Sequence, residues 1–140
     1  MKLKEIIKEE IEKFEWDKDK VAGKPVKPTS MIYHLTNPKF RNQILQQGLQ
    51  PRVGDSYGSW SGGKKAIPAI FATTGSINDV TGGGDINNYG DIWIISNNTN
   101  NEWFEDNHFN HPAFGKNPHI VTFTPIPPRA LALYHKGYDW

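Results

Sequence analysis

The chain contains no cysteine, which excludes disulfides, thiolate metal sites and cysteine nucleophiles together and suits either redox compartment. It also lacks any run approaching the roughly 20 apolar residues that a membrane-spanning helix needs, and its mean hydropathy is -0.63. The charged N-terminus has no uninterrupted apolar stretch of the kind a signal peptide carries, so a cytoplasmic protein that does not enter the membrane is expected. Charge of one sign is missing too. Sixteen Lys and Arg against fifteen Asp and Glu leave a formal net charge of +1, too little to attract nucleic acid over a distance, although local contacts stay open. There is no internal repeat, no coiled-coil register and no P-loop spacing.

What remains is a chain of 140 residues, the size of one domain. Five Trp, seven Phe and five Tyr supply large apolar surfaces for a core or a cleft. The best-punctuated stretch is Met31-Ile-Tyr-His-Leu-Thr-Asn-Pro-Lys-Phe-Arg-Asn-Gln-Ile-Leu-Gln-Gln-Gly-Leu-Gln-Pro51. It reads as a strand, a turn and a helix. Asn37 suits the N-cap, Pro38 the first helical position, and Gly48 a left-handed C-terminal residue. His34 then stands near the end of the strand.

The flanks divide the chain into an N-terminal amphipathic helix over 1–16, a linker over 17–30 and a domain over 31–140. Leu3, Ile6, Ile7, Ile11 and Phe14 form the apolar stripe of the helix, which can dock on the domain, on a sister chain to give a homo-oligomer, or on another partner. Gly23, Pro25 and Pro28 argue against a helix or a central strand in the linker. Beyond Pro51, Gly54, Gly58, Gly62 and Gly63 mark a long loop carrying Tyr57, Trp60, Lys64 and Lys65. That loop is either plain surface or a cover for a phosphate-bearing ligand.

Strands are expected at Ala69-Ile-Phe-Ala-Thr-Thr74, Asp91-Ile-Trp-Ile-Ile-Ser96 and His119-Ile-Val-Thr-Phe-Thr124, with a short final one at Ala130-Leu-Ala-Leu-Tyr134. A second glycine-rich loop follows Thr81. Glu102 to Asn117 reads as an irregular, aromatic-pinned loop, in which Asp106, His108 and His111 are suitable metal-ligand types at an unspecific spacing. No metal is assigned. One early helix, several strands and long loops make an α+β domain with a mostly antiparallel sheet and few short helices.

Tyr33-His-Leu-Thr36, the helix ending at Gly48-Leu-Gln-Pro51, Ala69-Ile-Phe-Ala-Thr-Thr74 and the strand running into Pro125-Ile-Pro-Pro128 resemble, in that order, the ADP-ribosyltransferase-like fold. The likeness is to its diphtheria-toxin-type branch, with relatives among RNA 2'-phosphotransferases and small phage proteins, and it covers about residues 31–132. The resemblance implies a split-sheet core and NAD as substrate. It implies that His34 meets an adenosine ribose, that the backbone at Leu35 and Thr36 meets the nicotinamide amide, and that Phe71 or Tyr57 stacks on the nicotinamide. Thr73 lies near the second-strand position, and Arg52 is a candidate for phosphate.

The family's glutamate on the last core strand is replaced by His119, which cannot stabilise a cationic sugar as a carboxylate does. His119 is therefore carried with His34 as the candidate catalytic pair, with Glu102, Glu105 and Asp106 as carboxylates of the preceding loop. Two functions follow as expectations. One is transfer of ADP-ribose from NAD to a protein or nucleic-acid acceptor; the other is a nucleotide- or protein-binding module without turnover. A metal-dependent hydrolase using His108 and His111 is a third. For RNA 2'-phosphotransfer, Arg41, Arg52 and Arg129 are the arginines at hand.

Overall fold

A five-residue strand whose side chains alternate, followed at once by Asn-Pro, is forced to turn and coil, and in the computed structural model β2 (Ile32–Thr36) does so. The structure describes residues 21–52, 68–107 and 116–137. Asn37 Oδ1 accepts from the Lys39 amide at 3.0 Å, and Pro38 opens a 3-10 turn, Pro38–Phe40, that leads into α1 (Arg41–Gln47). The asparagine and proline act as expected. Gly48 departs from expectation: its φ is +76° but its ψ is −169°, an extended mirror conformation rather than a left-handed helical one. The chain must straighten there because Leu49 exchanges both backbone hydrogen bonds with Ile126, each 2.9 Å. A Cβ on Gly48 would stand 2.1 Å from the Ile126 carbonyl oxygen, so a side chain is excluded sterically as well as by φ.

The other elements are β1 (Ala22–Val26), β3 (Ile70–Thr74), α2 (Ile77–Thr81), β4 (Asp91–Ile95), β5 (Trp103–Asp106), β6 (His119–Thr122) and β7 (Leu131–His135). They form a seven-stranded sheet in the order β1-β5-β6-β3-β2-β4-β7, with every pairing antiparallel. The α+β class holds, and the mostly antiparallel sheet with few short helices is present.

Two stretches differ from the sequence reading. Residues 22–26, assigned to a linker, are the edge strand β1; Pro25 is tolerated because an edge strand has one unpaired side, and the register shifts between Ala22 and Pro25. Residues 103–106, assigned to an irregular loop, are β5, seated between β1 and β6. Pairing on both sides organises a segment too short to announce itself. The helix α2, which the sequence reading did not assign, is closed by reciprocal bonds between Ser76 and Asp79. The expected helix over 2–15 and the loop carrying Tyr57, Lys64 and Lys65 lie outside the described residues.

Side-chain alternation gives the sheet two apolar faces. Ile32, Ile70, Ala72, Trp93, Ile95, Trp103 and Ile120 pack with Ile44 of α1, Leu49 and Ile126. Neighbouring positions point the other way, so Val121, Ala69 and Val21 pack with Phe71, Phe104 and Phe123. No helix among the described residues is long and apolar enough to cross a membrane.

The sheet opens between two of its central strands. The β2–β4 ladder runs through five pairs, from Ile32 opposite Ile95 to Thr36 opposite Asp91. The β2–β3 ladder stops after Ile32–Thr74 and Tyr33–Thr73. The split is therefore an opened ladder within one sheet, not a gap between two sheets.

Candidate functional site

A cavity of about 790 Å³ lies at this opening. His34, Leu35, Thr36, Arg52, Phe71, Thr73 and His119 all line it, so every candidate site residue within the described part of the chain comes to one place. Tyr57 lies outside the described residues. Beyond Tyr33, the backbone edge of β2 that faces β3 has no ladder partner there, which leaves the amide and carbonyl of Leu35, on the side where Met31 accepts from Gly75, able to bond a guest; those of Thr36 face β4, against the expectation for it.

His34 spans the opening. Its Nδ1–H donates to the Phe71 carbonyl at 2.5 Å; since a carbonyl only accepts, this nitrogen carries the proton. Burial lowers the His34 pKa from its ordinary 6.5, outweighing the Phe71 carbonyl, which favours the charged form. The imidazole is thus neutral at neutral pH, and its Nε2 is an acceptor with no protein donor among the described residues. Thr36 Oγ1 accepts from Trp93 Nε1–H at 2.9 Å, so that hydroxyl keeps its own proton to donate.

The cavity has a polarity. At the start of β3, Arg52 is fixed by two backbone bonds to Ala69, at 3.2 and 3.1 Å. Its guanidinium stands 4.5 Å from the centre of the Phe40 ring, and Lys39 Nζ stands 5.0 Å from the same ring. Neither cation has a carboxylate partner among the described residues. Aromatic stacking holds a guanidinium in place without neutralising it.

At the far end of β3, Thr73 Oγ1 and His119 Nδ1 share a hydrogen bond of 3.2 Å. Asp106, only 3% exposed, lines the cavity beside them. Asn117 joins the two strands, donating from Nδ2 to the Asp106 carbonyl at 3.0 Å and accepting from the His119 amide at 2.9 Å. Burial lowers the His119 pKa, against the pull of the Asp79 charge. Ala69 and Thr73 are four residues apart in β3, so the cationic and carboxylate ends are separated by about 13 Å along the strand.

Of the carboxylates considered from sequence, only Asp106 lines this cavity; Glu102 and Glu105 do not. Lys39 and Phe40 were not singled out at all. Their position after Asn37-Pro38 was a usable signal, because a turn leaving the His34 strand must pass over the strand's end. Of the other arginines, Arg41 is bound to Asp91 and Arg129 lines a different cavity. His108 and His111 lie outside the described residues. Among the described residues no group of three His, Asp or Glu side chains is arranged to hold a metal.

No family model matches the sequence, and no curated protein is significantly similar to it.

Proposed function

We propose that the cleft between β2 and β3 binds NAD or a related nucleotide in the manner of an ADP-ribosyltransferase-like domain. The observation that carries this reading is the polarity of the cleft. Two cations without a carboxylate partner among the described residues, Arg52 and Lys39, stand at one end, and Asp106 with His119 at the other. A dinucleotide with an anionic diphosphate and a cationic nicotinamide has the complementary polarity. His34 Nε2 accepts from a ribose hydroxyl, the open backbone edge at Leu35, midway along the cleft, reads a carboxamide, and Arg52 meets phosphate. Phe71 lines the cleft with its ring packed beside Val121 and Ala69, and it is the candidate for stacking. Tyr57 keeps its candidacy for the same role from sequence alone.

Transfer of ADP-ribose to a protein or nucleic-acid acceptor is the catalytic form of this proposal. Binding without turnover is the second form, and one observation favours it: among the described residues, the sole carboxylate lining the cavity is a buried aspartate on β5, not a glutamate on β6. Incubating the full chain with NAD and measuring nicotinamide release, with binding followed by calorimetry, separates the two. The catalytic form expects release that Asp106→Asn abolishes while binding persists. The binding form expects saturable heat without release. In both, His34→Ala weakens binding, and wild-type affinity holds through the ordinary imidazole range and falls only at more acid pH, where protonation at the lowered His34 pKa removes the Nε2 acceptor. An absence of saturable NAD binding would sink both forms.

A further inference from the structure

A second cavity, of about 470 Å³, lies beyond the C-terminal end of β4 and shares no lining residue with the cleft. One wall is the loop following Ile95, with Ser96, Asn98, Thr99 and Asn100; the other is the segment from Thr124 to Ala130, with Arg129. The two walls are fastened. The Ser96 amide donates to the Ala130 carbonyl at 2.8 Å, and Asn101 Nδ2 reaches Thr124 Oγ1 at 2.8 Å and the Thr124 carbonyl at 3.0 Å. The Asn98 amide donates to Ser96 Oγ at 3.2 Å, closing the loop on itself.

With Asn101 holding the loop, the side chains of Asn98 and Asn100 are left without hydrogen bonds among the described residues, and Thr99 Oγ1 is screened from water with no partner. Arg129, exposed at the rim, has no carboxylate partner among the described residues. Among the described residues the cavity lining contains no acidic side chain and no aromatic ring. The first absence favours an anion over a cation as guest, and the second leaves no platform among these residues on which a base or a sugar ring would stack. What is left is a set of exposed amide donors around one guanidinium. The Thr99 hydroxyl, screened from water, is screened from an anion as well, so the donors open to a guest are the exposed Asn98 and Asn100 side-chain amides and the Arg129 guanidinium.

We propose that this cavity is an oxyanion site that takes a phosphate group, held by the Arg129 guanidinium with the Asn98 and Asn100 side-chain amides as the remaining donors. The planar fork of an arginine matches two phosphate oxygens, and neutral amides complete the shell without repelling the charge. The proposal does not depend on what the cleft binds.

The test is a titration of the full-length, isotopically labelled protein with inorganic phosphate at constant ionic strength, following backbone amide signals. Saturable shifts at Asn98, Thr99 and Asn100 are expected; signals of Leu35 and Thr36 report separately on phosphate entering the cleft. Arg129→Gln should weaken the loop response about tenfold or more, the loss expected for one charged hydrogen-bond partner. Arg129→Lys should fall between the two, keeping the charge and losing the fork. Repeating the titration with methyl phosphate tells a free ion from a phosphomonoester by which binds more tightly. Shifts that do not saturate, or that are the same in Arg129→Gln as in wild type, would overturn the assignment.

Discussion

Arg41 and Arg52 stand on either side of the same short helix, and the fold uses them in opposite ways. Arg41 Nε and Nη2 donate to the two oxygens of Asp91, each at 2.7 Å, and Nη2 reaches the Gly137 carbonyl at 3.0 Å. The Gly137 amide donates to Asp91 at 2.8 Å. Asp91 is fully buried and Arg41 nearly so. This cluster ties the start of α1 to β4 and to the chain after β7, and it leaves nothing for a guest. Arg52 lies against the Phe40 ring, has no anion among the described residues, and faces a cavity. An arginine held by a carboxylate is part of the fold, whereas one held by a ring keeps its charge available.

Breaking the closed cluster should give the largest effect. Arg41→Met leaves the Asp91 carboxylate buried with only the Gly137 amide as partner, and the loss in unfolding free energy should be about 3–5 kcal/mol. Adding Asp91→Asn removes the orphaned charge while keeping an acceptor for the Gly137 amide, so the double variant should recover much of that loss. Denaturant melts of the single and double variants check this. A double variant no more stable than Arg41→Met would show that the charge pair is not what holds the cluster.

The second effect is in the pH dependence of stability. Burial alone would raise the Asp91 pKa, but the Arg41 bonds and the Gly137 amide outweigh it and hold the carboxyl below its ordinary 3.8. The folded state thus binds its proton less readily than the unfolded one. The stabilisation is complete above the ordinary value and is lost as the pH falls through the folded one. Wild-type melting temperature should therefore drop below about pH 4, more steeply than that of Arg41→Met, where the shift has lost its cause. Asp79 is also held low, by its bonds to the Ser76 backbone and side chain. It is common to both proteins and cancels in the comparison.

The same contrast shows what was legible in the sequence. Asn37 and Pro38 act on their immediate neighbours, so the β2–α1 turn could be read from a short window, whereas the extended conformation of Gly48 is set by the distant pairing of Leu49 with Ile126. The strands carrying Phe71, Thr73 and His119 alternate regularly, and their register then brings those residues to one opening. The Arg41–Asp91 pair joins positions fifty residues apart, and no local pattern marks it. β1 escaped because Pro25 and Gly23 mimic a linker, and only its edge position makes them admissible. β5 escaped because Trp103-Phe-Glu-Asp106 shows no clean alternation, although both its outer residues are buried. The stack of Arg52 on Phe40 depends on a bridge to Ala69 across a long loop, and that closure is a tertiary event.

Changing the open arginine should move stability least and binding most. Arg52 donates no side-chain hydrogen bond among the described residues, and the backbone bonds it makes with Ala69 survive any substitution that keeps a backbone amide. Arg52→Gln should therefore unfold within about 0.5 kcal/mol of wild type, because a ring contact at an exposed position contributes little. NAD affinity measured by calorimetry should fall about tenfold or more if the guanidinium meets a phosphate. Unchanged affinity would remove Arg52 from the site. A stability loss comparable to that of Arg41→Met would abolish the distinction itself, since it would mean that the stacked cation too is part of the fold.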